Sequence, residues 1–324
     1  MRDPSERLMA LLRGRRIADP PLFEPWFAMS DMLHRRFGGD YLTMADQLGH
    51  AAVPIGGLRT NVEFINAAEV RTDAGAYYEG GSLREPEQLR QRPEPDFDAQ
   101  VEPLLEHRRR CAEAGTACWM VIGWCFDRIA ASMGLEQFAV DCYDRPGFIH
   151  EAMAWVERRN QRGIERVVAR VKPDFVLYNG DCAYKTGTMI HPDMLRDFTI
   201  EPTRKTVEMI RDLDIPFAFH SDGKLDDVIP LLVELGIDAV HGCEKQANDL
   251  DHLVETFGDE IVLCGNMDVV FLAHAAPDEV AAETRRMIQI GARKQRFLAG
   301  CNTSPQDYIP DENYIAFCQT IASP

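Results

Sequence analysis

The sequence predicts an α/β chain folded as a (β/α)8 TIM barrel with an N-terminal hairpin excursion. First, eight short apolar runs, centred near Leu22, Ala52, Val121, Val176, Phe217, Ala239, Val262 and Phe297, have helical segments between most of them. Strands buried on both faces read as continuous apolar runs, and alternation of strand with helix marks a parallel sheet. Second, four later runs end in polar residues beside glycine. They lead into His220-Ser221-Asp222-Gly223, His241-Gly242-Cys243-Glu244, Cys264-Gly265-Asn266 and Gly300-Cys301-Asn302. In a barrel these ends meet on one face, where active sites lie. Third, the rival open doubly wound sheet lacks its signals, since neither GxGxxG nor GxxxxGK[ST] occurs. The length suits one domain, residues 1–324.

Each element has its own local reason. Residues 5–13 form a short amphipathic helix that Ser5 can cap and Gly14 ends. Pro20 to Phe27 is extended, Met29 to Phe37 helical, and Gly38-Gly39-Asp40 a break before a helix from Leu42 to Gly49. Ala51 to Gly56 is an apolar strand. Glu69 to Ser82 alternates polar with apolar around Asp73-Ala74-Gly75, the pattern of a hairpin. Arg92-Pro93-Glu94-Pro95 is a linker, followed by a helix from Phe97 to Gly115. A strand–helix rhythm then takes over. Strands are expected at Ala117–Gly123 and Asp174–Cys182, with helices at 138–143, 146–171 and 192–213. After the His220 strand, helices at 225–235, 250–257, 277–290 and 311–321 alternate with the Cys243, Cys264 and Cys301 strands.

The net charge of −17 argues against a nucleic-acid surface, which needs clustered Lys and Arg. The N-terminus has no apolar signal core and no run is long enough to span a bilayer, so a cytoplasmic protein without membrane contact is expected. Nine cysteines in that compartment are reduced thiols, and the absence of any CxxC pair removes zinc-ribbon and thioredoxin-type motifs.

The strand tips suggest two chemistries. A catalytic zinc takes imidazole, thiolate and carboxylate from three protein ligands and keeps one position open. His220, Asp222, Cys243, Cys264 and Cys301 stand at adjacent tips as candidates. Alternatively Asp181, Asp222 and Asp268 crowd one mouth, where carboxylates raise one another's pKa and serve as acid and base. Trp26, Phe27, Met29, Trp124, Phe126 and Met267 could line a pocket for a planar ligand.

The set of motifs resembles the uroporphyrinogen decarboxylase superfamily along almost the whole chain. Phe219-His220-Ser221-Asp222-Gly223-Lys224 is similar to its F-H-S-C-G-N segment, and Leu231 to Val240 to the helix and G-x-D strand that follow. Residues 7–14, 138–146, 180–181, 190–198, 265–268 and 300–310 resemble its opening helix, F-x-x-D-L-Y-D-x-P, G-D-D, S-P-x-M-x-x-F, G-N-I-D and closing C-x-x-x-P-x-x-x-P pieces. The resemblance implies the barrel. True decarboxylases carry an arginine-bearing M-R-Q-A-G-R segment, and its place here, Phe27 to Met32, has no Arg. The resemblance is therefore closer to the zinc-dependent, corrinoid-linked methyltransferases, which bind zinc through H-x-C and a later Cys. His220 matches the His, Cys301 the later Cys, and Asp222 replaces the first Cys, with Cys243 as a substitute ligand.

The implied function is zinc-dependent methyl transfer between a small methyl donor or acceptor and a corrinoid on a separate protein. Zinc would sit on His220, Asp222 or Cys243, and Cys301, with Asp181 and Asp222 as catalytic carboxylates. The alternative is a decarboxylase of an aromatic or pyrrolic carboxylate, in which Asp181 or Asp222 stabilises a protonated intermediate. A third reading is a tetrapyrrole-binding barrel without turnover. The sequence allows a homodimer without requiring one.

Overall fold

The computed structural model describes residues 3–27, 30–62, 65, 68–72, 75–79 and 81–323. Its strands are β1 (Ala52–Gly57), β2 (Ala68–Thr72), β3 (Gly75–Glu79), β4 (Ala117–Gly123), β5 (Phe175–Asn179), β6 (Ala183–Tyr184), β7 (Gly187–Thr188), β8 (Phe217–His220), β9 (Ala239–His241), β10 (Val262–Met267) and β11 (Phe297–Cys301). Seven of them form one sheet in the order β1-β4-β5-β8-β9-β10-β11. Every pairing within it is parallel.

The segment around Leu22 joins both edges of this sheet. Leu22 bridges His50 beside β1 and Ala299 in β11, each in parallel sense. The Ala51 N–H donates to Leu22 O at 2.8 Å and the Phe23 N–H to Ala299 O at 2.9 Å. Pro20, Pro21 and Pro25 flank it, and proline supplies no N–H for a ladder, so this eighth stave is reduced to one bridged residue. The architecture is TIM-barrel-like, with the seam at Leu22.

Alternation along the strands sorts side chains into two layers. Phe23, Ala52, Trp119, Phe175, Leu177, Ala218, Ala239, Val262, Cys264 and Leu298 pack together inside the barrel. Val53, Val176, Phe217, Phe219, Val240, Leu263, Phe297, Ala299 and Cys301 pack outward with the helices. Edge-on contacts of Phe23 with Phe175 (5.5 Å) and Trp119 (6.3 Å) fill the interior below the mouth.

The helices fall close to the expected places, including Asp98–Ala114, Pro192–Asp212, Leu250–Phe257, Pro277–Gly291 and Asp311–Ala322. Two local readings need correction. Asp3, not Ser5, caps the first helix, Pro4–Leu12, by accepting from the Ser5 and Glu6 N–H groups. Ser5 Oγ instead donates to Ala51 O (2.7 Å) and accepts from the Ala117 N–H (3.1 Å), tying β1 to β4 at their bases. Trp124 and Phe126, placed among the strand tips, instead stand at the start of a helix, Cys125–Met133. In the region of the expected hairpin, β2 and β3 pair antiparallel as a separate two-stranded sheet. The predicted turn residues Asp73 and Ala74 lie outside the described residues. Among the described residues no helix is long and apolar enough to cross a membrane.

Candidate metal centre

The site grows from the ends of β5, β8 and β9. His220 is the last residue of β8, two beyond the inward Ala218, so its ring lies on the barrel side and is buried, 5% exposed. The chain leaving β5 carries Asp181, and the chain leaving β8 carries Asp222. His220 Nε2 lies 3.9 Å from Asp181 Oδ1 and 3.9 Å from Asp222 Oδ1. One ligand atom from each of the three residues lies within 4.8 Å of the others. Asp222 Oδ1 is buried and has no hydrogen-bond partner.

The two loops are tied together. The Asp222 N–H donates to Asp181 Oδ1 at 3.0 Å. Ser221, wholly buried, accepts from the Cys182 N–H at 3.2 Å and donates to Asp222 O at 2.9 Å. Gly223, at φ 91°, and Gly242, at φ 100°, let the neighbouring loops close in. A Cβ on Gly223 would stand 2.5 Å from Ala183 O, and one on Gly242 2.3 Å from Ser221 O. Both glycines are therefore required by contact as well as by backbone angle.

Behind His220 stands His241, the last residue of β9 and its register partner. Their Nδ1 atoms are 2.8 Å apart. The half-buried Trp26 stands edge-on to both rings, 4.5 Å from that of His220 at 71° and 5.9 Å from that of His241 at 75°.

Burial pulls the His220 imidazole down to about 3, leaving it neutral with a lone pair to offer. Burial and His220 hold His241 well below its ordinary value. Asp222 is pushed up to about 7, first by burial and then by Asp181 and Glu244, with Lys185 opposing. Burial also raises Asp181, against the hydrogen bond from the Asp222 main chain. Asp127 is pushed up to about 7 by burial and, secondarily, by Asp181, while Arg128 opposes. The mouth therefore holds carboxyl groups short of counter-charge around a neutral imidazole. One imidazole and two carboxylates, one with an orphaned buried oxygen, fit a divalent cation.

Two residues of the expected ligand set are not brought into this group. Cys301 lies in the outward layer with Phe297 and Ala299, because Leu298 faces inward and parity then places residue 301 outside. Its N–H donates to Glu24 Oε2 at 3.1 Å, and burial beside Glu24 and Cys318 drives its thiol far up. Cys243 follows the turn at Gly242 into the outer core, its Sγ 4.0 Å from Val240 O, and burial pushes its thiol up to about 12. Cys264 does face the interior, with Sγ 3.8 Å from Phe23 O, but is not part of the group either. Among the described residues, the three-residue group is Asp181, His220 and Asp222.

Asp268 caps the helix Val269–His274 by accepting from the Val270 N–H at 2.8 Å. Trp124, Phe126 and Met267 are buried in the outer core, and Phe27 stacks on His50 at 3.9 Å. Met29 lies outside the described residues. Of the apolar candidates Trp26 meets His220. Sequence reasoning missed His241 as a site residue. The signal was present: it ends its strand as His220 ends the preceding one.

The mouth of this TIM-barrel-like fold gathers one histidine and two carboxylates with ligand atoms within 4.8 Å of one another. Residues 77–323 match the family model described as Uroporphyrinogen decarboxylase (URO-D), and the chain belongs to that family. Among solved structures it is similar to a methyltransferase from Methanosarcina mazei, with 15% identity, 98% of each chain covered and a TM-score of 0.76. It is also similar to a B12-independent methionine synthase from Shewanella sp. W3-18-1 in complex with selenomethionine, at 13% identity, 94% of each chain and a TM-score of 0.57. No curated protein sequence matches the chain.

Proposed function

We propose that the chain is a metal-dependent methyltransferase that moves a methyl group between a small oxygen-bearing substrate and a corrinoid carried by a separate protein. Zinc is the metal of this reading, held by His220, Asp222 and Asp181. The observation that carries it is the placement of His220 Nε2 at 3.9 Å from both carboxylates, with Asp222 Oδ1 buried and unpaired. Family membership and the fold shared with a methyltransferase and a methionine synthase support the same reaction class.

With nitrogen and oxygen donors and no thiolate, the bound ion would act as a hard Lewis acid suited to polarising a methyl ether oxygen. The chain's own residues do the rest. His220 is held neutral by burial and presents Nε2 to the mouth. Asp222 sheds its proton to become a ligand, and Asp181 fixes the Asp222 loop through the main-chain hydrogen bond. Trp26, packed edge-on beside His220, would be the aromatic neighbour of a planar substrate at the mouth.

The test combines metal analysis with a spectroscopic assay. Purified protein loaded with zinc is mixed with methoxyarenes and cob(I)alamin, and formation of methylcobalamin is followed by visible absorbance. Stoichiometric zinc, methylation of the corrinoid, and loss of both in His220→Ala are expected. A second reading, decarboxylation, is favoured by one observation: Asp222, pushed up to about 7, can hold a proton to donate. Metal-independent release of CO₂ from an aromatic or pyrrolic acid, with no response to corrinoid, would replace the methyltransferase reading.

A further inference from the structure

We propose that His241 is a positioning residue that accepts a hydrogen bond from Nδ1–H of His220, so that His220 keeps an unprotonated Nε2 aimed at the mouth. The inference rests on the metal reading above for its purpose but on separate geometry for its substance. Two Nδ1 atoms at 2.8 Å must share one proton. Two protons between them would collide, and none would leave two lone pairs face to face.

For neutral rings, the donor then carries its proton on Nδ1 and has a bare Nε2, while the acceptor carries its proton on Nε2. Only one of the two assignments leaves a ligand atom facing Asp181 and Asp222: His220 donates and His241 accepts. His241 is 1% exposed, and its Nε2, which carries the proton in this assignment, has no hydrogen-bond partner among the described residues. The Trp26 ring also packs edge-on against both imidazoles, 4.5 Å from His220 and 5.9 Å from His241. A metal-binding histidine whose other nitrogen donates to a fixed acceptor is held in one tautomer and one orientation, and losing such a partner weakens metal binding by about 10–100-fold. Here the acceptor is a second histidine on the adjacent strand, set in register by the sheet.

The test uses the full chain, selectively ¹⁵N-labelled at histidine, with and without one equivalent of zinc(II). Long-range ¹H–¹⁵N correlation spectra report the tautomer of each ring, and chelator competition gives the zinc dissociation constant. The expected result is Nδ1–H on His220 and Nε2–H on His241, with a zinc-induced shift confined to His220 Nε2. His241→Asn keeps an acceptor oxygen near the Nδ1 position and should retain zinc affinity, whereas His241→Phe should lose about 10–100-fold and move the His220 proton to Nε2. Nε2–H on His220 in the wild-type protein, or His241→Phe binding zinc as tightly as wild type, would overturn the assignment. The two readings fail separately. Correct tautomers and His241-dependent zinc binding without methyl transfer remove the proposed reaction and leave the positioning role. Methyl transfer at undiminished zinc affinity in His241→Phe does the opposite.

Discussion

The hydroxyl of Ser221 accepts the main-chain N–H of Cys182 at 3.2 Å, stitching the loop after β8 to the loop after β5. The same hydroxyl donates onward to Asp222 O at 2.9 Å. The loops that carry Asp181 and Asp222 are thus joined through one buried serine. Replacing Ser221 with Ala leaves a buried N–H without its partner, at a cost of about 1–3 kcal/mol. Thermal unfolding should record that loss, and zinc titration should record weaker binding from the loosened Asp181 and Asp222. Unchanged values for both would separate the serine from the site.

Gly242→Ala should be more damaging than most glycine-to-alanine changes in loops. The new Cβ would stand 2.3 Å from Ser221 O at a backbone φ of 100°, so both contact and conformation oppose it. Backbone strain of this kind costs about 1–3 kcal/mol. Denaturant unfolding of the variant should show at least that deficit.

Cys301→Ser and Cys243→Ser should leave zinc affinity unaltered, because both thiols belong to the layer facing the helices. His220→Ala should lower it by more than about 100-fold, since even a lost outer partner costs about 10–100-fold. Chelator competition on the three variants distinguishes this ligand set from a thiolate-containing one. Strong loss in Cys301→Ser would restore the sequence-based expectation.

Zinc binding should strengthen as pH rises towards neutrality. Asp222, with its pKa near 7 in the metal-free protein, is protonated on the acid side and must lose that proton to become a ligand. Asp181 is raised in the same direction and adds to the effect. His220, near 3, does not compete in this window. Calorimetry in buffers of different ionisation enthalpy should therefore find proton release at pH 6 that fades by pH 8. Release that is absent at pH 6 would mean that Asp222 is not a ligand.

The same shift sets the pH dependence of the metal-free fold. A carboxyl group whose folded pKa lies above its unfolded value near 3.9 binds protons more tightly when folded. Its penalty is absent below about pH 4 and develops as pH rises through 7. Asp222→Asn should raise the melting temperature of metal-free protein at pH 8 and leave it unchanged at pH 4. The gain should be modest, because the Asp222 side chain is 42% exposed and solvent screens it.

Much of the barrel was legible because strand and helix periods differ, and the eight expected strand centres correspond to the seven ladder strands plus the Leu22 bridge. Asp181, His220 and Asp222 were legible as polar residues at neighbouring strand ends. Cys301 lies outside the Asp181, His220 and Asp222 group, and the reason is strand parity, which its polarity alone does not reveal. Counting from the apolar run puts Leu298 and Gly300 on one side and Cys301 on the other, and the structure fixes which side is which. His241 stood at a strand end like His220, but its pairing with His220 depends on lateral register, which the local pattern does not give. The helices at Cys125–Met133 and Val269–His274 were missed because their residues follow strand ends directly.

The prolines around Leu22 leave the barrel's first stave fastened by few main-chain hydrogen bonds, chiefly those linking Leu22 O to Ala51 and Pro21 and Phe23 to Ala299. Trp26, which packs edge-on against the imidazole of His220, is mounted four residues beyond that clasp. The aromatic ring beside His220 therefore rides on the proline-flanked plank of the cask. Loosening at the seam would shift that ring against the imidazole while the seven-strand ladder stays laced.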